Sequence, residues 1–207
     1  TGLRLVSLPP VVLLHGSASS ADEPFLVTGW AEALAASGRE VLAVDLPGHG
    51  ASPAIAADAE ATTSAVVAAI LEAVRRAVPG TEPFDVIGYS LGARLAWELP
   101  AASPRVRRLV LGGISPFEPL PAVGPAELAA ALGGGAGRDG GAGEAGGGAG
   151  GGPGGGAAPA NPLVGIMAAM TSAPGRDTAS LARLIPGLAS EPFSPQSGGP
   201  RVPTLLA

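Results

Sequence analysis

The chain has 207 residues, 46% of them hydrophobic, with a net charge of −5 and no cysteine, enough for one domain with a buried core and incompatible with disulfides or thiolate metal sites. All twelve basic residues are arginine, which excludes a lysine-dependent phosphate loop and a pyridoxal Schiff base. The acidic balance gives no attraction to nucleic acid or an anionic membrane, and no apolar run reaches the roughly eighteen residues of a membrane helix, so neither partner is expected.

In chain order, residues 3–8, 11–15, 40–45, 84–88, 107–112 and 202–207 read as short apolar strands. Between them, residues 31–37, 61–78 and 93–99 carry helical patterns, the last stopped by Pro100. Strands alternating with helix-sized segments predict βαβ units and a parallel sheet, with functional loops at the C-terminal ends of the strands. Residues 116–200 contain no convincing strand, and 126–132, 163–171 and 178–184 read as short helices. Within that region residues 133–156 are almost entirely Gly and Ala and hold about half of the chain's 33 glycines. Such a stretch cannot bury enough apolar surface to offset its ordering entropy and is expected to be a solvated, mobile loop, a neutral insertion rather than a lid.

The chemistry centres on Gly88-Tyr89-Ser90-Leu91-Gly92, which follows an apolar strand and precedes good helix formers. In a sharp strand-to-helix turn, small residues at 88 and 92 avoid Cβ clashes, Ser90 is lifted from the sheet edge, and the helix N-terminus points unsatisfied N–H groups at the reacting centre. A serine hydroxyl needs an adjacent base to act as a nucleophile.

Together with Val11-Val12-Leu13-Leu14-His15-Gly16, Val41-Leu42-Ala43-Val44-Asp45-Leu46-Pro47-Gly48-His49-Gly50 and Arg107-Arg108-Leu109-Val110-Leu111-Gly112, this string resembles the α/β-hydrolase family, over most of residues 3–115 and again at 202–207. Trp30 also stands where family members often carry a tryptophan. The resemblance implies an α/β fold, a mostly parallel sheet flanked by helices, with residues 1–115 as the N-terminal part of the core, 116–200 as a helical cap and 201–207 as the penultimate core strand. It implies a serine hydrolase acting on an ester or similar small acyl substrate, needing no cofactor and no metal. Ser90 is then the nucleophile, and the backbone N–H groups of Ser17 and Leu91 form the oxyanion hole.

In this family the acid and the histidine normally follow the last strands, so the chain reads as a fragment lacking the C-terminal strand, helix and catalytic base, and inactive as it stands. Neither histidine present is expected to replace that base: the resemblance makes His15 a brace for the oxyanion loop and puts His49 in a turn. Two distant histidines without an HExxH spacing make no zinc site. Glu118, after the sixth predicted strand, stands where some members place the acid, but is read as a hinge into the cap.

Two other functions are carried. Gly-Tyr-Ser-Leu-Gly-Ala-Arg resembles the menaquinone-pathway synthase forming succinyl-hydroxycyclohexadiene carboxylate, which makes Tyr89 and Arg94 candidate substrate-binding residues, the arginine fork suiting a carboxylate. The favoured reading makes Arg94 a helix-surface residue and Tyr89 a packing residue. A hydrolase-fold binding protein without turnover is the third reading. A small molecule is the expected partner, and the cytoplasm is the default location.

Overall fold

The computed structural model describes residues 8–133 and 161–207. Strands β1 (Val11–Leu14), β2 (Val41–Val44), β3 (Phe84–Tyr89), β4 (Val106–Gly112) and β5 (Thr204–Leu206) form one sheet in the order β2-β1-β3-β4-β5. Every pairing is parallel. Of the predicted first strand, residues 3–7 lie outside the described residues and Leu8 is loop.

Helices α1 (Trp30–Ala36), α2 (Thr63–Ala77), α3 (Leu91–Ala102), α4 (Pro125–Gly133), α5 (Pro162–Thr171) and α6 (Thr178–Ser190) complete the fold. All four residues of β1 are fully buried, because both faces of the central sheet are covered. Val12 and Leu14 join the main core with Ile70 of α2 and Leu95 of α3, whereas Val11 and Leu13 face Phe25 and Ala31. The apolar stripe Val66, Val67, Ile70 and Val74 turns α2 onto the sheet, and the Thr62 hydroxyl caps its start by accepting from the Ala65 N–H at 3.2 Å.

Two helices run past their predicted ends. Helix α3 continues through Pro100 to Ala102, correcting the expected stop. Leu95, Ala96 and Leu99 are fully buried, and the Leu99 carbonyl still accepts from Ser103, so packing outweighs the one hydrogen bond that proline removes. Helix α6 likewise passes Pro186 and Gly187 to Ser190. Leu188 is buried there, and a Cβ at Gly187 would fall 2.5 Å from the Ala61 carbonyl oxygen, so the glycine permits close packing. Of the Gly/Ala-rich segment, Gly133 closes α4, and residues 134–156 lie outside the described residues.

One charged residue is buried at the N-terminal end of β3. Asp85 accepts hydrogen bonds from Arg39 at 2.8 Å and from Arg107 at 2.8 and 2.5 Å. Burial pushes its carboxyl up, but Arg107 and Arg39 outweigh burial and hold it below its ordinary value.

Candidate functional site

β1 and β3 are neighbours whose chains leave toward opposite sides of the sheet, and the crevice between their C-terminal ends is where open α/β sheets bind ligands. Ser90 closes β3 there in a strained backbone conformation, with φ 52° and ψ −114°. A non-glycine residue pays for that geometry, and the surroundings enforce it. The Ser90 N–H donates to the Gly112 carbonyl at 2.8 Å, and the Ser90 carbonyl accepts from Arg94 at 3.0 Å to start α3. A side chain at Gly92 would collide with the Leu14 and His15 carbonyls, and one at Gly88 with the Gly92 backbone. The two glycines therefore let α3 begin directly against β1.

The predicted trio of Ser90, Ser17 and Leu91 lines one cavity of about 210 Å³. Leu91 is the first residue of α3, so its N–H has no carbonyl one turn back to bond. Ser17 belongs to the loop after β1, where a Cβ built on Gly16 would lie 3.4 Å from Ser90 Cβ. Met167 of α5 and Leu181, Leu184 and Leu188 of α6 roof the cavity.

The two candidate binding residues part company. Tyr89 is 55% exposed, its ring lies across the glycine positions 16, 112 and 113, and it does not line this cavity. Arg94 does line it and is only 6% exposed, correcting the expectation of a helix-surface residue. Its Nε–H donates to Glu118 at 2.6 Å, Nη1 to the Thr63 hydroxyl at 3.0 Å, and Nη2 to the Leu188 and Glu191 carbonyls at 3.0 and 3.1 Å. Glu118 also accepts from the Phe193 N–H at 2.8 Å, so it joins α3 to the segment after α6. The sequence signal for this pair was two separated charges, and nothing in their spacing shows that they meet.

Comparison with known proteins identifies the fold. The family description "alpha/beta hydrolase fold" matches residues 9–131, more than half of the chain. The chain belongs to the α/β hydrolase-fold family. It is 36% identical over 126 residues to 2-hydroxy-6-oxononadienedioate/2-hydroxy-6-oxononatrienedioate hydrolase 2 of Pseudomonas putida, a match covering 55% of this chain and 41% of that protein. It is 35% identical over 111 residues to an esterase of Mycobacterium tuberculosis, covering 53% of this chain and 34% of that protein. The chain thus spans only about two fifths or less of the curated relatives it matches. Among solved structures, NosK from Streptomyces actuosus superposes with a TM-score of 0.59 at 22% identity, over 96% of this chain and 75% of that one, a likeness of fold.

In this hydrolase-fold chain the two histidines are committed to the backbone. His15, fully buried, accepts the Leu46 N–H on Nε2 at 3.0 Å, so Nδ1 carries the proton and donates to the Gly16 carbonyl at 2.7 Å. His49 accepts the Ala18 N–H on Nε2 at 3.1 Å and donates from Nδ1 to the Pro47 carbonyl at 3.0 Å. The rings meet edge to face at 5.0 Å. They thereby hold the 16–18 loop, including Ala18 at φ 51°, beside Ser90. With both Nε2 lone pairs occupied, neither imidazole is free to take the Ser90 proton.

Burial holds both histidines below their ordinary value, His49 at about 4 against 6.5. Between those two values the unfolded chain binds more protons than the folded one, so stability falls as pH is lowered through that window. Denaturant titration is expected to show about 2 kcal/mol less stability at pH 5 than at pH 7.5 from His49 alone. His49→Gln, which keeps an acceptor for Ala18, should flatten the profile; an unchanged profile would assign the loss to other groups.

Among the described residues, no group of three His, Asp or Glu side chains could hold a metal ion, and no helix is long and apolar enough to cross a membrane.

Proposed function

We propose that the chain carries the nucleophile and oxyanion half of a serine hydrolase acting on a small ester or related acyl compound. The observation carrying this reading is Ser90 itself, strained at a strand-to-helix elbow and lining the same cavity as Ser17 and Leu91. In the proposed reaction the Ser90 hydroxyl attacks the acyl carbon while a base accepts its proton. The developing oxyanion accepts hydrogen bonds from the Ser17 and Leu91 N–H groups, and a donor of that kind is worth about a hundredfold to a thousandfold in rate. Helices α5 and α6 serve as the cap that shapes the acyl site. Similarity to a named esterase supports the ester class.

The synthase reading loses its main support, because the Arg94 guanidinium is already neutralised by Glu118 rather than presented to a substrate carboxylate. Glu118 is likewise committed to Arg94, Leu120 and Phe193 and not to either histidine, which argues against its being the catalytic acid. Treatment with an alkyl fluorophosphonate followed by peptide mass spectrometry tests the nucleophile. Modification at Ser90 is expected, and labelling of other serines with Ser90 untouched would overturn the assignment.

A further inference from the structure

Among the described residues lining the cavity beside Ser90, Arg94 and Glu118 are the charged ones, and they face each other at 2.6 Å with their side chains 8% and 6% exposed. Four Arg94 N–H groups have partners in Glu118, Thr63, Leu188 and Glu191, which leaves one of the guanidinium's five donors without a partner among the described residues. The rest of the wall is mostly aliphatic and thioether surface, including Ile114, Met167, Met170, Leu184 and Ile185. Because Arg94 lies one helical turn after Ser90, a substrate group entering from the serine reaches this wall and this ion pair together.

We propose that the cavity takes an uncharged aliphatic group of roughly eight carbons, and that Glu118 sets this preference by cancelling the charge of Arg94. The proposal rests on the reading of Ser90 as the reacting residue, which makes this space the substrate's site. The size follows from volume: an apolar cavity of about 150 Å³ accommodates benzene, and this one measures about 210 Å³. A carboxylate entering the same space would lose its hydration beside the Glu118 carboxylate and meet an arginine whose charge is already matched, so anions are rejected. Without the Glu118 charge, the same arginine becomes a buried cation with a spare donor and no counter-ion, which is an anion site. One glutamate therefore decides whether the pocket reads as apolar or as a carboxylate receptor.

Calorimetric titration of the 207-residue chain with 2-octanone and with sodium octanoate tests the proposal without any turnover, so a failure of Ser90 as nucleophile leaves the result readable. The wild-type chain is expected to bind octanone at least tenfold more tightly than octanoate, and Leu184→Trp, which fills the cavity, to weaken octanone at least tenfold. Glu118→Gln should raise octanoate affinity at least tenfold, and octanoate should raise its melting temperature more than that of the wild type. The Arg94→Met/Glu118→Leu double variant removes both charges and should keep the preference for octanone, which preserves the test if Glu118→Gln does not fold. Equal binding of the two ligands by the wild type, octanone binding indifferent to Leu184→Trp, a folded Glu118→Gln without gained octanoate affinity, or a double variant that favours octanoate would each overturn the proposal.

Discussion

Ser90→Ala is expected to abolish the part of p-nitrophenyl ester hydrolysis that exogenous imidazole accelerates. Both histidines of the chain spend their Nε2 lone pairs on backbone N–H groups, at Leu46 and Ala18, so the Ser90 proton has no imidazole acceptor within the chain. General-base assistance is typically worth about a hundredfold to ten-thousandfold. The wild-type chain should therefore turn over slowly by itself and gain at least tenfold, above the rate of imidazole alone, when a diffusible base supplies the missing step. Ser90 is exposed at the crevice, which leaves room for that base. The alanine variant should show the imidazole background and nothing more. Equal rates for the two proteins at every imidazole concentration would sink the nucleophile assignment. Fast Ser90-dependent turnover without imidazole would instead show that another group of the chain acts as the base.

Arg94→Met should be the most destabilising single substitution around the site, at about 3–5 kcal/mol, because it leaves the Glu118 carboxylate buried without its counter-ion. It also releases Thr63 and the carbonyls of Leu188 and Glu191, which hold the C-terminal end of α6 against α3. Replacing both partners, as Arg94→Met/Glu118→Leu, removes the uncompensated charge and should recover most of that loss, since an apolar pair of similar volume needs no counter-ion. Denaturant unfolding of the two single variants and the double variant measures the coupling. Additive losses would show that the two side chains contribute independently and that the short contact carries no stability.

Much of the fold was legible from local chemistry. β1 reads as a strand because Val11, Val12, Leu13 and Leu14 are uniformly apolar, and the sheet buries both of its faces. The elbow at Ser90 was legible because Gly92 is required where α3 meets β1 and Gly88 where β3 meets the start of α3, a constraint that leaves a mark in the residue types themselves. Helix ends were less legible. Pro100 and Pro186-Gly187 are local stop signals, yet both helices continue because Leu99 and Leu188 bury apolar surface that a break would expose.

The amino-acid sequence by itself determined the order of the described strands and helices, the position of the strand-to-helix elbow at Ser90 and the absence of thiol and lysine chemistry, since each depends on neighbouring residues or on composition. Only the tertiary structure decided the rest. It joined Arg94 to Glu118 across 24 positions and His15 to the Leu46 N–H across 31, turning a surface-looking charge into a buried ion pair and giving the two histidines the backbone partners through which they brace the loop. Pairings over such distances depend on how α3, α6 and the strand-end loops pack. A side chain's charge, burial and free lone pairs, which are what the chemistry uses, are set by those neighbours rather than by the residues beside it in the chain.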